Sequence, residues 1–460
     1  MTDLTTGSIE KHLAGMAAFI GAGLVFQSAY FIVDLYFVSR LGPQAMAGVG
    51  AAGNFSFLSL AAAQLVGVGS LSLISQAVGR RDPAHANLVF NQVCGLALLM
   101  SAALLAGGYL IAGAASAGLG ADAASAAYGR DYLYGFLPSM ACMFPSTAIA
   151  SALRATGVVR PVMLLQTGSV LVNVVLAPVL IAGWGTGHPL GTFGAGLASS
   201  IAAIGSTVVM VAILPRVQTA LRADRAAFAP RPAVWLALMR VGLPAAGEFL
   251  LIFVIVGVIY LCIRRFGASA QAGYGVGARV MQAVFLPILA VSFAASPIAG
   301  QNFGAGLPDR VLQTFRITAA TSTMYMIGLT ILCQIASGVL VAPFTDDPVV
   351  LAVAVHYLRV ASWSFVGFGL IMTCSGLFQA LGDTLPSFLA SATRLLTFAL
   401  PALWLAGRPS AALIDFWWLS VVSAALQMAI TLLLLRRTFR RKLGIGAGLS
   451  QRSLQPAPLG

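Results

Sequence analysis

The chain has 460 residues, 59% hydrophobic and 8% charged, with a formal net charge of +13 and a mean hydropathy of +0.92. A soluble globular domain carries about 25% charged residues, so this composition excludes a water-soluble fold and reads as a polytopic membrane protein. The excess of arginine is then the positive-inside bias of cytoplasmic loops, not a nucleic-acid footprint.

A spanning helix takes about 20 apolar residues. Breaks at Gly, Pro and charge clusters divide the chain into twelve spans: 13–39, 45–74, 88–115, 128–154, 161–183, 192–215, 235–263, 270–299, 311–341, 352–379, 386–406 and 411–436. The expected fold class is all-α, with residues 1–12 as a cytoplasmic tail and 13–215 as a first half. A basic linker over 216–234 leads to a second half over 235–442, and 443–460 is a Gly, Ser and Pro-rich tail expected to be disordered. Most of the 26 lysines and arginines fall to one side of this layout, Arg394 among them. With an even number of spans, that bias puts both termini in the cytoplasm. The first apolar run reads as a span and not as a cleavable signal.

The halves match at a constant spacing of 225 residues. Arg40-Leu41-Gly42 meets Arg265-Phe266-Gly267; Gln76, Gly79 and Pro83 meet Gln301, Gly304 and Pro308; Ala155, Gly157 and Pro161 meet Ala380, Gly382 and Pro386. Six spans per half give parallel repeats about an axis along the membrane normal, with substrate between them and transport by rocking of one half against the other. No GxxxxGK[ST] loop, Ser-His-Asp set or paired carboxylates on one face stand in the sequence, so neither ATP-driven pumping nor an enzymatic reaction has support. Cys94, Cys142, Cys262, Cys333 and Cys374 lie in apolar stretches without metal-ligand spacing and read as free thiols. The four histidines sit at helix ends or in loops and form no metal cluster.

The turn chemistry carries a resemblance. Val33-Asp34 and Phe37-Val38-Ser39-Arg40-Leu41-Gly42 resemble the first hairpin of the multidrug and toxic compound extrusion (MATE) transporters, V-D-x-x-F-V-x-x-L-G. Gln76-Ala77-Val78-Gly79-Arg80 with Gln301-Asn302-Phe303-Gly304-Ala305, and Leu153-Arg154-Ala155-Thr156-Gly157 with Gln379-Ala380-Leu381-Gly382, are similar to that family's paired cytoplasmic turns. The resemblance covers roughly residues 10–440. It implies a V-shaped pair of six-helix bundles in a bacterial inner membrane. It also implies a monomeric antiporter, with no cofactor, that exports lipophilic or cationic small molecules in exchange for H+, or alternatively Na+.

Asp34 and Glu248 are the two carboxylates well inside expected spans. A secondary transporter needs a group whose protonation or ion occupancy alternates, and a carboxylate in a low dielectric supplies one. By the resemblance, Asp34 matches the family's first-span aspartate, working with polar groups that here are Asn173 and Ser199. These three are also the candidate Na+ ligands. Ala177 stands where the family often has an aspartate, which removes an anionic oxygen and favours protons. Glu248 lies one turn before the family's seventh-span glutamate position, here Ile252, and the partner aspartate of the tenth span is here Phe368. The bland alternative for Glu248 is an ion pair with Arg279.

Gln27, Tyr30 and Tyr36 flank Asp34 and are expected to line a cavity. Phe249, Phe253, Met281 and Arg279 are the further substrate-binding candidates, and Asn54 and Gln282 are polar positions for interhelical hydrogen bonds. Two other classes compete with export: a lipid-linked oligosaccharide flippase of the same superfamily, and a membrane partner that moves no solute.

Overall fold

A computed structural model describes residues 3–119, 122–217 and 221–444, apart from the side chains of 29–35, 115, 119 and 225. The helices in the first half are α1 (Ile9–Ser39), α2 (Pro43–Gly79), α3 (Pro83–Leu119), α4 (Ala123–Ala155), α5 (Arg160–Ala182) and α6 (Gly191–Ile213). The second half holds α7 (Pro232–Ile263), α8 (Ala268–Gly304), α9 (Pro308–Val341), α10 (Pro348–Ala361), α11 (Phe365–Ala380), α12 (Leu385–Arg394), α13 (Leu400–Ala406) and α14 (Leu413–Leu443). Among the described residues these give 12 apolar spans and no strand. Pro43, Pro83, Pro232, Pro308 and Pro348 each open a helix. The N1 position costs nothing there, because its N–H has no intrahelical partner in any case.

Two expected single helices are broken. The tenth span passes through a 3-10 turn at Ser362–Ser364 between α10 and α11. The eleventh contains a π-turn at Leu395–Ala399 between α12 and α13. No Gly or Pro stands at the first break, which the sequence therefore hides; the second is followed by Pro401, whose missing N–H interrupts the helical ladder. The first helix also starts at Ile9, earlier than the expected 13, because Ser8 caps it by accepting from the Lys11 N–H.

The halves meet across α2, α7, α1 and α8. At the arginine-rich end the repeat becomes a reciprocal lock. Gln76 Nε2 donates to Ala380 O at 2.9 Å, and its repeat mate Gln301 donates to Ala155 O at 2.7 Å. Beside them, a Cβ on Gly79 would run into Gln301 O, and a Cβ on Gly304 would run into Gln76 O. Glycine is required there because α2 and α8 cross with their backbones in contact. The bundle is therefore sealed at this end. Replacing both Gln76 and Gln301 by alanine should weaken the seal by about 2 kcal/mol, at about 1 kcal/mol per hydrogen bond. Faster alkylation of a reporter cysteine at Ala155 checks this.

Residues 3–8, just before α1, join the same seal. Leu4 is 1% exposed; its N–H donates to Gln301 Oε1 at 3.1 Å and its carbonyl accepts from Asn302 Nδ2 at 3.1 Å. Arg310 donates to Asn302 Oδ1 and to Gly7 O. Leu4→Ala should cost about 2 kcal/mol, the low end for a buried leucine, because the site lies near a chain end; a lower melting midpoint of purified protein reads it. The linker is likewise docked. Asn91 accepts from the Asp224 N–H, while Gln92 accepts from the Arg231 N–H and donates to Ala227 O and Ala229 O.

Candidate functional site

Glu248 sits half-way along α7 and is 6% exposed. A buried carboxylate requires compensation by hydrogen bonds or a counter-charge. Here it is held by hydroxyls. Ser375 of α11 donates to Oε2 at 3.2 Å, and Ser387 of α12 reaches both oxygens at 3.1 and 3.0 Å. Ser391 donates to Oε1 at 3.3 Å and accepts in turn from Gln427 of α14 at 3.1 Å. Ser387 and Ser391, one turn apart, share a helix face. The opposite face of α12 carries the exposed Leu385 and Leu389. Four helices thus close a polar pocket inside the second half, around one negative group.

The expected alternative for this residue is corrected. Among the described residues the ion pairs are Arg130–Asp131 and Arg441–Asp383, and Arg279 does not reach Glu248. Its neighbours Val276, Gly277 and Val280 take the buried face of α8, which leaves Arg279 on the exposed side. By the repeat, Arg279 stands on α8 where Asn54 stands on α2, and both are exposed.

In the first half, Asn173 and Ser199 lie side by side. Asn173 is 0% exposed and its Nδ2 lies 3.3 Å from Ser199 Oγ. Ala177 follows one turn later, also fully buried. The side chains of Asp34 and Tyr30 lie outside the described residues; the backbone of both belongs to α1, which packs on α5 and α8. Gln27 is exposed on the same helix. Tyr36 is also exposed, and its hydroxyl and ring engage the Arg40 guanidinium at the helix end.

Between the halves a cleft of about 280 Å³ opens, with Asn54, Phe57 and Leu58 of α2 on one wall and Phe249, Leu250 and Phe253 of α7 on the other. The Phe57 and Phe253 rings are 5.3 Å apart. Phe249 and Phe253 were expected here; Phe57 and Leu58 were not, since nothing distinguishes them in sequence from lipid-facing residues. Met281 lies elsewhere: its sulfur accepts from the Tyr357 hydroxyl at 3.1 Å, inside the second half. Nothing in the sequence singles out Ser375, although the i, i+4 spacing of Ser387 and Ser391 beside Pro386 is a usable signal.

The geometry is a two-fold helical scaffold, sealed at one end and split by an apolar cleft, with a polar pocket in each half. The MatE family model matches the chain twice, at residues 20–179 and 244–405. The chain belongs to the MatE family.

Relatives of this MatE protein match it over most of their length. "Probable multidrug resistance protein YoeA" of Bacillus subtilis is 27% identical over 371 residues, 78% of this chain and 79% of that protein. The "FAD transporter" of Shewanella oneidensis is 24% identical, over 86% of this chain and 88% of its own. Among solved structures, the outward-facing conformation of a multidrug resistance MATE family transporter superposes with a TM-score of 0.89 at 20% identity, over 96% of this chain and 98% of that one. A transporter of the MOP superfamily from Pyrococcus furiosus gives 0.88 at 20% identity, with the same coverage. The MatE protein is accordingly a transporter and not an enzyme. Asp34 and Asn173 fall in the first matched stretch, Glu248 and Arg279 in the second, and Ser199 in neither.

Proposed function

We propose that this MatE protein is a proton-coupled exporter of lipophilic, often cationic, compounds, in which Glu248 is the group that alternates between proton-bound and proton-free states. The observation that carries the reading is the environment of Glu248: a buried carboxylate in mid-span, met by three serine hydroxyls and by no described cation. Hydroxyls can rotate to donate to the charged form or to accept from the protonated one, so either state is satisfied without moving a helix. A dedicated Na+ site gains from several anionic oxygens, and Phe368 stands where a second carboxylate would help. Sodium is therefore the alternative. Asp34, with Asn173 and Ser199, is the second candidate coupling group.

In this mechanism the apolar cleft between α2 and α7 takes the body of the substrate. Proton uptake at Glu248 from outside favours release, and rocking of the halves breaks the Gln76 and Gln301 lock to reopen the cytoplasmic face. The chain acts in the bacterial inner membrane with both termini in the cytoplasm, and a single copy suffices. Uptake of a fluorescent cationic dye into everted vesicles tests the reading. A pH gradient alone should drive accumulation and a sodium gradient should not. If neither gradient moves dye, export of such compounds is refuted and lipid-linked oligosaccharide flipping becomes the assay.

A further inference from the structure

Arg394, counted on the arginine-rich side although it falls within the expected span 386–406, ends α12 near the middle of the eleventh span. It is about nine residues from Leu385, roughly 14 Å along the helix at 1.5 Å per residue. Leu389, Leu396 and Leu400 form the exposed stripe of this span, and Arg394 lies on the opposite side, on the face of Ser391 and Phe398. Its guanidinium donates from Nη2 to Ser420 Oγ at 3.2 Å and sits 5.7 Å from the Phe398 ring centre. Nε is sealed from solvent and has no acceptor. No described carboxylate lies within ion-pair distance; Glu248, the carboxylate of the same bundle, is occupied by its serines.

The surroundings are a packed aromatic cluster. Tyr274 and Tyr357, both buried, lie within electrostatic reach of Arg394. They pack on Trp417 with ring centres 5.7 and 4.8 Å away. The residue after Arg394 begins the π-turn Leu395–Ala399, an irregularity that concentrates at functional sites. A cation inside a span without a counter-charge is costly and marks a missing partner. The planar guanidinium fork matches carboxylate and phosphate.

We infer that the second half contains an anion subsite centred on Arg394, taking the carboxylate or phosphate of an amphiphilic solute. The depth points to a solute and not a lipid headgroup, since headgroups lie outside a hydrocarbon core about 30 Å thick. The inference rests on the transporter reading of the chain but not on its coupling ion, and a binding assay separates the two.

The test is equilibrium binding of pyrenebutyrate, pyrenebutanol and pyrenebutylamine to the full-length protein in lipid nanodiscs, with empty nanodiscs subtracted. The three probes share one ring and differ in charge. Wild type should bind pyrenebutyrate about tenfold more tightly than pyrenebutanol, the worth of one charge-assisted hydrogen bond. Arg394→Gln should erase that preference and leave pyrenebutanol binding unchanged. Arg394→Lys, which keeps the charge and loses the fork, should retain part of it. Equal binding of pyrenebutyrate and pyrenebutanol by wild type overturns the inference without any variant. So does a preference that survives Arg394→Gln.

Discussion

Glu248→Gln abolishes gradient-driven dye accumulation while the protein remains folded. Glutamine has the shape of protonated glutamate and can still meet Ser375, Ser387 and Ser391, because hydroxyls both donate and accept. What it lacks is a second protonation state. The expected fall in initial rate is at least about 100-fold, equivalent to about 2.7 kcal/mol at the coupling step, with size-exclusion profile and melting midpoint unchanged. Glu248→Asp keeps the charge but withdraws it by one methylene from hydroxyls at 3.0–3.3 Å, so its rate should fall between the two. A Glu248→Gln variant that accumulates dye at the wild-type rate removes Glu248 from the mechanism.

Gly304→Val holds the arginine-rich end open. The added Cβ meets Gln76 O, which belongs to a helix backbone and cannot swing aside as a side chain would. Overpacking of this kind costs about 1–3 kcal/mol, enough to shift the closed-to-open ratio roughly 5- to 150-fold. Gly79→Val should do the same, because the Gly79 contact with Gln301 O is its repeat image. The readout is alkylation of Ala155→Cys by a membrane-impermeant maleimide, with the native cysteines replaced. Ala155 is fully buried behind the Gln301 hydrogen bond, so modification should be slow in the parent and fast in either valine variant. Equal rates would mean that this crossing is not the gate.

The scaffold was more legible than the site, for a physical reason. Span number, the internal repeat and the paired turns depend on composition and on Gly, Pro and Gln at fixed spacing. Glycine positions such as Gly79 and Gly304 announce close backbone approach before any coordinates exist. The polar sites do not obey the repeat. The mates of Asn173 and Ser199 are Phe398 and Ala424, both buried and apolar, and the mate of Glu248 is Gly23. Each half therefore shares a frame and differs in its charged interior. Pairing Glu248 with Arg279 followed from charge alone; helix facing decides otherwise. Arg394 falls inside the expected span 386–406 yet counts with the arginine-rich side on charge alone; that it ends α12 within the second half, beside the π-turn Leu395–Ala399, depends on packing.

The most direct test of the central claim is proton release on substrate binding. A lipophilic cationic dye is added to weakly buffered, detergent-solubilised protein containing a pH indicator, in the absence of sodium. If Glu248 alternates between proton and substrate states, wild type acidifies the solution on binding, Glu248→Gln binds without releasing a proton, and added sodium changes neither result. Dye binding with no proton release by wild type, or equal release by Glu248→Gln, would contradict the claim.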